Sequence, residues 1–258
     1  MKIDLTSKRA IVTAGAAGIG RVIAETFLDA GASVAVCDID ESALTSFEST
    51  YREAHAFHCD VGDPAPAART ADRMLSVLGG IDILVNNAGS AGPTALIEDI
   101  DPVDWSHTFD INLFSQFYFT KAVVPHMKEQ GSGAIVNMSS AAGRLGMPLR
   151  TPYAAAKWAT IGLTQSLAME LGGHGIRVNA ILPGSVEGDR MDRVMQARAD
   201  ITGMTLEEVM AEETATMSLG RLIDPREVAS MIAFISSDIG RSISGQSIGV
   251  CGNTEILK

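Results

Sequence analysis

The chain has 258 residues, of which 46% are hydrophobic and 20% are charged, and its formal net charge at pH 7 is -11. This apolar content excludes an intrinsically disordered chain, and the length suffices to bury a large core in one domain. The acidic balance argues against a nucleic-acid partner, whose surface requires clustered Lys and Arg.

The N-terminal sequence contains no apolar run of signal-peptide length, and no stretch approaches the roughly 18 apolar residues of a membrane span. We therefore expect a cytoplasmic protein with no membrane partner. Cys37, Cys59 and Cys251 lack the spacing of metal ligands, so we interpret all three as buried free thiols and predict no metal site.

Seven short apolar runs rich in β-branched residues alternate with longer helix-prone segments. Parallel strands require helical crossovers and are covered on both faces, so this alternation predicts a doubly wound α/β fold. We expect one domain over residues 1–258, with a seven-stranded parallel sheet and helices on both faces, the Rossmann fold. The predicted strands cover 9–14, 33–38, 54–61, 82–89, 133–140, 176–184 and 244–252.

One segment interrupts the alternation. From residue 185 to about 222 the sequence is charged, helix-prone and without a strand. It follows the sixth strand at the sheet edge where such folds bind ligands, so we predict a substrate lid at about 185–222. The sequence leaves open whether Met147, Met191 and Met195 line an adaptable pocket or pack the lid itself.

A glycine-rich turn joins the first predicted strand to an amphipathic helix and contains Gly15, Gly18 and Gly20. Glycines permit a tight bend, let the backbone approach a pyrophosphate and allow the helix to pack closely on the strand. A plain strand-to-helix turn is the alternative interpretation. The strand before it, the helix after it and an acidic residue at the next strand end favour a dinucleotide site.

That acidic residue is Asp38, 18 residues after Gly20. A carboxylate here accepts hydrogen bonds from the adenosine ribose hydroxyls and repels a 2′-phosphate. Neither Ala17 nor Ile39 supplies the cation that a 2′-phosphate requires. We therefore predict NAD rather than NADP, with a surface helix cap as the alternative role for Asp38.

Tyr153 and Lys157 lie four residues apart on one face of a predicted helix. Taken alone, the pair is consistent with a tyrosine in a packing surface beside a solvated lysine. Moving a hydride between a secondary alcohol and nicotinamide, however, requires a general acid/base at the substrate oxygen. A free phenol has a pKa of about 10, and a nearby ammonium lowers that pKa by favouring the phenolate.

Together these motifs resemble the short-chain dehydrogenase/reductase family over essentially the whole chain. Thr13, Gly18 and Gly20 match the family's TGxxxGxG signature, in which Ala14 replaces the second residue, and NNAG follows at 86–89. The resemblance implies that Asn86 and Asn87 mainly form turns and stabilise the central sheet. It also implies a catalytic serine thirteen residues before the tyrosine, with Ser139 as its structural neighbour. The implied catalytic residues are Asn112, Ser140, Tyr153 and Lys157.

By the same resemblance, Ser140 donates a hydrogen bond to the substrate oxygen and Asn112 holds a water that relays protons. Lys157 lowers the pKa of Tyr153 and binds the nicotinamide ribose. The implied cofactor-binding residues are Gly15, Gly18, Ile19, Gly20, Asp38, Ile39, Asp60, Val61, Asn87, Ala88, Gly89, Tyr153, Lys157, Pro183, Gly184 and Val186.

Further positions depart from the family pattern. Gly188 stands where a threonine usually contacts the carboxamide, so that contact must come from the backbone or be absent. Cys251 and Asn253 stand where an acid and a glycine are common, a change for which the sequence offers no functional explanation.

The resemblance implies an enzyme but not its substrate, since family members act on sugars, polyols, hydroxy acids, steroids and acyl thioesters. Arg144, Arg150 and Arg190 can bind a carboxylate, sulfonate or phosphate, or simply be solvated. We predict a NAD-dependent oxidoreductase that interconverts a small polar secondary alcohol and its ketone. The alternatives are a 3-oxoacyl-thioester ketoreductase and a non-catalytic dinucleotide-sensing protein. Apolar helix faces at 120–127 and 159–171 resemble the family's dimer-forming pair and predict a homotetramer.

Overall fold

Parallel strands form the centre of the fold. The computed structural model describes residues 3–255. The strands are β1 (Arg9–Thr13), β2 (Ser33–Asp38), β3 (His55–His58), β4 (Ile83–Asn86), β5 (Gly133–Met138), β6 (Ile176–Pro183) and β7 (Ser247–Val250). They pair in the order β3-β2-β1-β4-β5-β6-β7, and each of these pairings is parallel. The predicted seven-stranded parallel sheet is confirmed.

Helices cover both faces of this sheet. They are α1 (Gly18–Asp29), α2 (Glu41–Thr50), α3 (Pro64–Leu78), α4 (Pro102–Phe109), α5 (Ser115–Gln130), α6 (Thr151–Leu171), α7 (Asp189–Thr202), α8 (Leu206–Ala215) and α9 (Pro225–Ser236). Adjacent strand residues point to opposite faces, so Val12 joins one buried cluster with α1 and α9, while Ile11 joins another with α3 and α5. The predicted helical cover on both faces is confirmed.

Side chains determine where most of the outer helices begin. The carboxylate of Asp63 accepts the amide of Ala65 at the start of α3, and the carboxylate of Asp224 accepts that of Arg226 at the start of α9. Both helices have proline in the first turn, where no amide donor is needed. By contrast, Ala17 precedes α1 and provides no side-chain cap, so the first amides of α1 remain available to a ligand.

The helix pair α4 and α5 is joined by a wider π-helical turn at Asp110–Phe114. Asn112 lies within this turn and is buried. Its Nδ2 donates to the carbonyl of Thr108 at 2.8 Å and to that of Ser90 at 3.1 Å. Such turns often occur at functional sites because they redirect a side chain without ending the helix.

The segment predicted as a lid is helical and contains α7 and α8. Met195, Ala199 and Val209 pack between them in a small buried cluster, which places Met195 in the packing of this segment. At the base of the segment, the Ser185 carbonyl accepts the amide of Ile223 at 2.9 Å, so the two ends of the segment meet. Its action as a lid, and the extent of the domain, remain predictions.

The cysteines differ in burial. Cys37 and Cys59 are buried free thiols, as predicted, but Cys251 is only half-buried. The prediction for Cys251 is wrong because it follows β7, an edge strand with a neighbour on one side only. Within residues 3–255, no helix has the length and apolar content needed to cross a membrane. The same residues contain no group of three or more His, Cys, Asp or Glu side chains arranged to hold a metal ion.

Candidate active site

The turn between β1 and α1 has the geometry that a pyrophosphate site requires. Gly18 has a φ of +53°, and a Cβ on it would meet no atom within 4 Å, so its surroundings are open. A Cβ on Gly20 would lie 2.0 Å from the carbonyl oxygen of Ala14, so only glycine lets α1 approach β1 this closely. Gly15 is buried, and its amide donates to the carbonyl of Cys37, whereas Ile19 is half-buried in the first turn of α1.

Ala14, which replaces the glycine of the family signature, has a left-handed backbone conformation. Ala14 has a φ of +48°, in the left-handed region that favours glycine. Its carbonyl accepts the side-chain amide of Asn87 at 3.0 Å, which holds this strained residue in place. The turn therefore keeps a left-handed residue at the position where the family signature has glycine.

Asp38 ends β2 beside this turn, and its carboxylate is held by backbone amides. Oδ2 accepts the amide of Ala16 at 3.1 Å, and Oδ1 accepts those of Ile39 at 2.8 Å and Asp40 at 3.2 Å. These bonds orient the carboxylate, and a carboxylate has about four acceptor positions, which leaves capacity for a ribose hydroxyl. The Ile39 side chain next to it is 62% exposed, consistent with a surface that an adenine can cover.

The loops after β3 and β4 contain the next residues predicted to bind the cofactor. Asp60 accepts the amide of Gly62 at 2.9 Å, and Val61 beside it is buried. The amides of Asn87 and Ala88 both donate to the hydroxyl of Thr13 at 3.0 Å. Thr13 therefore couples the end of β1 to the loop after β4.

Asn86 stabilises the central sheet, as the family resemblance implied. Its Nδ2 donates to Asn137 Oδ1 at 2.8 Å and to Thr120 Oγ1 at 3.1 Å. Asn137 in turn donates to the hydroxyl of Thr164 at 3.0 Å. This buried network ties β4 and β5 to α5 and α6.

Three polar groups converge beside Gly89. A Cβ on this glycine would lie 3.0 Å from Asn112 Oδ1, 3.5 Å from Lys157 Nζ and 3.7 Å from Nη2 of Arg190. Asn112 Oδ1 is buried and accepts no hydrogen bond from the described residues. A buried oxygen without a donor is costly, so this point suits a ligand or a water that donates to it.

Lys157 is buried on α6 and faces the end of β5. Its Nζ donates to the carbonyl of Met138 at 2.8 Å and lies 5.7 Å from the centre of the Tyr153 ring. Burial, which disfavours the ammonium, is the main reason that the pKa of Lys157 is lowered to about 8. Arg190 and Arg150 lower this pKa further, whereas Tyr153 raises it.

Tyr153 is half-buried one helical turn before Lys157. Burial raises the pKa of its phenol, but the positive charges of Lys157, Arg190 and Arg150 together outweigh that effect. With a further contribution from the hydroxyl of Ser140, the pKa of Tyr153 falls from 10.0 to about 8. The phenol can therefore exchange a proton near neutral pH.

The two serines after β5 have separate roles. Ser139 is buried, and its hydroxyl donates to the carbonyl of Lys157 at 2.8 Å, which is the structural position inferred for it. Ser140 is half-buried, and its hydroxyl accepts the amide of Ala142 at 3.1 Å. Because that bond uses only an acceptor position, the hydroxyl hydrogen of Ser140 stays available for donation.

The three candidate arginines lie in different places. Arg144 is exposed and donates to the carbonyl of Ser247 on edge strand β7. Arg150 is buried, and its guanidinium carbon lies 4.4 Å from the centre of the Tyr153 ring. Arg190 is exposed near the start of α7, beside Gly89. The structure thus brings Arg150 and Arg190, but not Arg144, to Tyr153.

The chain after β6 borders the same cleft. The amide of Gly184 donates to the carbonyl of Val250 at 3.0 Å, and Val186 forms a short bridge with Ile223. Pro183 is the last residue of β6. Gly188 precedes α7 with a φ of +127°, and no side chain caps this helix. A threonine side chain at position 188 would require a backbone conformation that is nearly exclusive to glycine.

Asn253 has a structural explanation, whereas the change at Cys251 has none. Asn253 has a φ of +56°, a left-handed conformation that asparagine tolerates better than most residues. Its side chain donates to Ser218 Oγ at 2.7 Å. Asparagine thus replaces the glycine common here without changing the hand of the backbone.

Sequence reasoning missed Gln116. This buried residue on α5 donates through Nε2 to the carbonyl of Asn112 at 3.0 Å and to that of Met138 at 3.3 Å. The Met138 carbonyl also accepts from Lys157, so Gln116 joins two parts of the site. Its Oε1 is buried and accepts no hydrogen bond from the described residues. The only sequence signal is a glutamine four residues after Asn112 on a mostly apolar helix face.

A family described as enoyl-(acyl carrier protein) reductase matches residues 14–252. The chain belongs to the short-chain dehydrogenase/reductase family. It is therefore an oxidoreductase that acts on hydroxyl or keto groups, with a fold that binds a nicotinamide dinucleotide.

One relative is the 2-dehydro-3-deoxy-L-rhamnonate dehydrogenase (NAD(+)) of Sphingomonas sp. strain SKA58. It is 34% identical over 229 residues, which cover 89% of this chain and 88% of that protein. The solved structure of NAD⁺-bound xylitol dehydrogenase superposes with a TM-score of 0.92 at 29% identity, covering 96% of this chain and 99% of the other. The solved structure of a variant of actinorhodin polyketide ketoreductase with NADPH also superposes with a TM-score of 0.92, at 33% identity. The match covers 96% of this chain and 97% of the other.

The residues present fit the nicotinamide dinucleotide that the family implies. The uncapped first turn of α1 offers amide donors to phosphates, and the open space at Gly18 lets the ligand approach them. At the other end of the cleft, Asn112 Oδ1 lacks a donor next to Gly89 and Lys157. Both ends thus have unused hydrogen-bonding groups.

Proposed function

We propose that this protein is a NAD-dependent oxidoreductase that interconverts a small polar secondary alcohol and its ketone, with Tyr153 as the general acid/base. The observation that carries the proposal is the phenol of Tyr153. Its pKa is lowered to about 8 despite burial, because Lys157 and two arginines are close to it. A structural tyrosine gains nothing from such an environment, whereas proton transfer to a substrate oxygen depends on it.

In the proposed mechanism, a bound nicotinamide would supply the hydride transfer at the substrate carbon. During oxidation, Tyr153 accepts the proton of the substrate hydroxyl, while Ser140 donates a hydrogen bond to the same oxygen and stabilises its developing charge. Lys157 favours the phenolate and would hold the nicotinamide ribose. The unpartnered Oδ1 of Asn112, which lies with Lys157 Nζ beside Gly89, would hold a water that relays protons toward solvent.

Asp38 supports NAD as the cofactor. Its carboxylate is oriented by three backbone amides at the end of β2 and repels a second phosphate on the adenosine ribose. The similarity to an NAD-named dehydrogenase and to an NAD⁺-bound xylitol dehydrogenase is consistent with this choice and with a polar substrate. The remaining proposed cofactor contacts come from the glycine turn, Asp60 and Val61, the loop at 87–89, and Pro183, Gly184 and Val186.

A 3-oxoacyl-thioester ketoreductase is the second candidate. The similarity to a polyketide ketoreductase with NADPH favours it, and Asp38 argues against it because it disfavours the 2′-phosphate of NADPH. A dinucleotide sensor without catalysis would have no use for the proton-transfer group at Tyr153. The cytoplasmic location and the homotetramer remain predictions.

The function is tested by following absorbance at 340 nm with NAD or NADP against sugars, polyols, hydroxy acids and hydroxyacyl thioesters. We expect turnover of a polar secondary alcohol with NAD. Tyr153→Phe should still bind NAD but lose about 10²- to 10⁴-fold in kcat, the usual contribution of a general acid/base. Tyr118→Phe, on α5, is the matched control and should keep wild-type turnover. Undiminished turnover in Tyr153→Phe would refute the mechanism, and NAD binding without turnover of any compound would favour the sensor.

The cofactor choice is tested separately with Asp38→Ala. Because Asp38 also anchors the turn at Ala16, this variant is expected to weaken the binding of both dinucleotides. The ratio of the NADP to NAD dissociation constants distinguishes the roles. It should fall by about tenfold if the carboxylate repels the 2′-phosphate, which corresponds to about 1.4 kcal/mol. An unchanged ratio means that Asp38 acts only on the turn.

A further inference from the structure

The cleft around Tyr153 contains more positive charge than proton transfer requires. Lys157, Arg150 and Arg190 all lower the pKa of the Tyr153 phenol, and both arginines also lower that of Lys157. The oxidised nicotinamide adds another positive charge when it is bound. Clustered cations that are not neutralised by the protein attract an anionic ligand.

The acidic residue that acts on Arg150 is already engaged in another ion pair. Glu213 acts electrostatically on Arg150, but its Oε2 accepts from Nη1 of Arg198 at 3.3 Å. Glu213 and Arg198 are both buried, and the other carboxylate oxygen of Glu213 accepts the Ser185 hydroxyl. Arg198 also donates through Nη2 to Glu212 at 2.6 Å, so Glu212, Glu213 and Arg198 form one ion-pair network within α7 and α8. No carboxylate of the described residues is among the groups that shift the pKa of Tyr153 or Lys157.

The two arginines have unused donors. Arg150 donates through Nε at 3.2 Å and through Nη2 at 2.9 Å, both to the carbonyl of Ala91, and Nη1 donates to no described residue. Arg190 is exposed and makes no hydrogen bond or ion pair within residues 3–255, although its Nη2 points toward Gly89. Arg150 is thus a fixed charge behind Tyr153, and Arg190 is an unpartnered charge at its open side.

We propose that Arg190, supported by the fixed charge of Arg150, binds a carboxylate of the substrate next to the hydroxyl that Tyr153 deprotonates. The inference rests on the proposed function and narrows its substrate class to hydroxy acids, such as aldonic acids. A planar guanidinium binds a carboxylate through two parallel hydrogen bonds, which also orients the neighbouring carbinol. Arg190 lies on α7, so the segment predicted as a lid would contact the substrate directly.

The experiment uses matched substrate pairs. Each aldonate, such as gluconate, is compared with the alditol in which a hydroxymethyl group replaces the carboxylate, such as glucitol. The variant is Arg190→Gln, and the matched control is Arg193→Gln, an exposed arginine three residues later on the same helix. For wild type we expect kcat/KM to favour the acid by at least about tenfold, as one charged hydrogen-bonding contact allows.

Arg190→Gln should remove most of that preference, mainly through a higher KM for the acid. The alditol should lose only the smaller amount that follows from the raised pKa of Tyr153, and the dissociation constant of NAD should be unchanged. Arg193→Gln should behave as wild type. A wild-type preference for the alditol, or an equal loss on both members of a pair, overturns the inference but leaves the proposed function intact. If Arg190→Gln weakens NAD binding by the same factor as it lowers kcat/KM for the acid, Arg190 binds the cofactor phosphates instead.

Failure of the proposed function is recognised separately, by no turnover of either series with NAD or NADP. The anion site is then tested by calorimetric titration of malonate, which has no hydroxyl to oxidise, into the protein with NADH. Weaker binding of malonate in Arg190→Gln than in Arg193→Gln supports the site. Equal binding, or none in wild type, overturns it.

Discussion

At the scale of single residues, the site depends on the balance of charges around one phenol. Burial disfavours the phenolate of Tyr153, yet its pKa falls from 10.0 to about 8. A shift of this size corresponds to about 3 kcal/mol in favour of the charged form. Lys157 makes the largest contribution to this lowering, and Arg190 the next. The residues that lower the pKa are therefore the same residues that surround the proposed substrate position.

The pH dependence follows from this shift. Oxidation of an alcohol requires the phenolate, so kcat/KM for oxidation should rise as the pH passes through about 8, whereas reduction requires the phenol and should fall there. Because Tyr153 and Lys157 interact, the midpoint belongs to the pair. Arg190→Gln should move it to higher pH, and Arg193→Gln should not. Profiles of initial rate from pH 6 to 10 that are flat, or identical in the two variants, contradict this assignment.

At the scale of secondary structure, helix starts separate the scaffold from the site. Side chains cap the first turns of α2, α3, α4, α8 and α9. No side chain caps α1, α6 or α7, and α5 also lacks a cap because it continues directly from the π-helical turn. Free amides at helix N-termini attract anions. The uncapped first turn of α1 therefore favours a negatively charged ligand, whereas the first turn of α7 already carries Asp189 and Asp192. The capped helices contribute stability.

The backbone conformation at the start of α7 can be tested by substituting Gly188. At a φ of +127°, this position is nearly restricted to glycine, so Gly188→Ala should lower the free energy of unfolding by about 1 to 3 kcal/mol. A Cβ on it would meet no atom within 4 Å, so any loss reports backbone strain rather than a clash. Gly146→Ala is the control, because a Cβ there is equally free and its φ is not positive. Urea unfolding measures the free energy of unfolding of both variants. Equal stability of Gly188→Ala and Gly146→Ala would contradict backbone strain at position 188.

At the scale of the whole molecule, an apolar surface on α5 and α6 is left uncovered by the other residues of 3–255. Residues of α5, α6 and the π-helical turn line an apolar depression on this surface, and the side chain of Phe117 is 48% exposed. The depression is lined by Leu113, Phe114, Phe117, Tyr118, Ala159 and Leu163. Contiguous exposed apolar side chains on one face mark an interaction surface. The surface lies on the helices for which the family resemblance predicts self-association.

Self-association through this surface is tested with Phe117→Asp. Burying an unpaired carboxylate in an apolar interface is strongly unfavourable, so the variant should shift the wild-type assembly to smaller species in sedimentation velocity. Val77→Asp is the control, since Val77 on α3 is 46% exposed but lies outside the depression. A monomeric wild type, or equal dissociation of both variants, contradicts the tetramer or its location.

Much of this structure was predictable because its signals are local. Alternating apolar runs predict the strands, and all seven lie within the predicted ranges. The spacing of Tyr153 and Lys157 predicts neighbours on one helix face, whereas Ser140 was supplied by the family resemblance. Cys251 was misassigned because composition does not reveal that its strand lies at the sheet edge. Gln116 was missed because its link to the site depends on the Met138 carbonyl, which is distant in the sequence.

The sequence by itself determined the order of strands and helices along the chain, the cofactor class that its glycine turn accommodates, and the residue types available for proton transfer. Only the tertiary structure decided which arginines share the cleft: Arg150 and Arg190 act on Tyr153, whereas Arg144 bonds to the edge strand β7. The physical reason is that local patterns determine helices and strands, while the sum of charges at one point depends on how distant segments pack together.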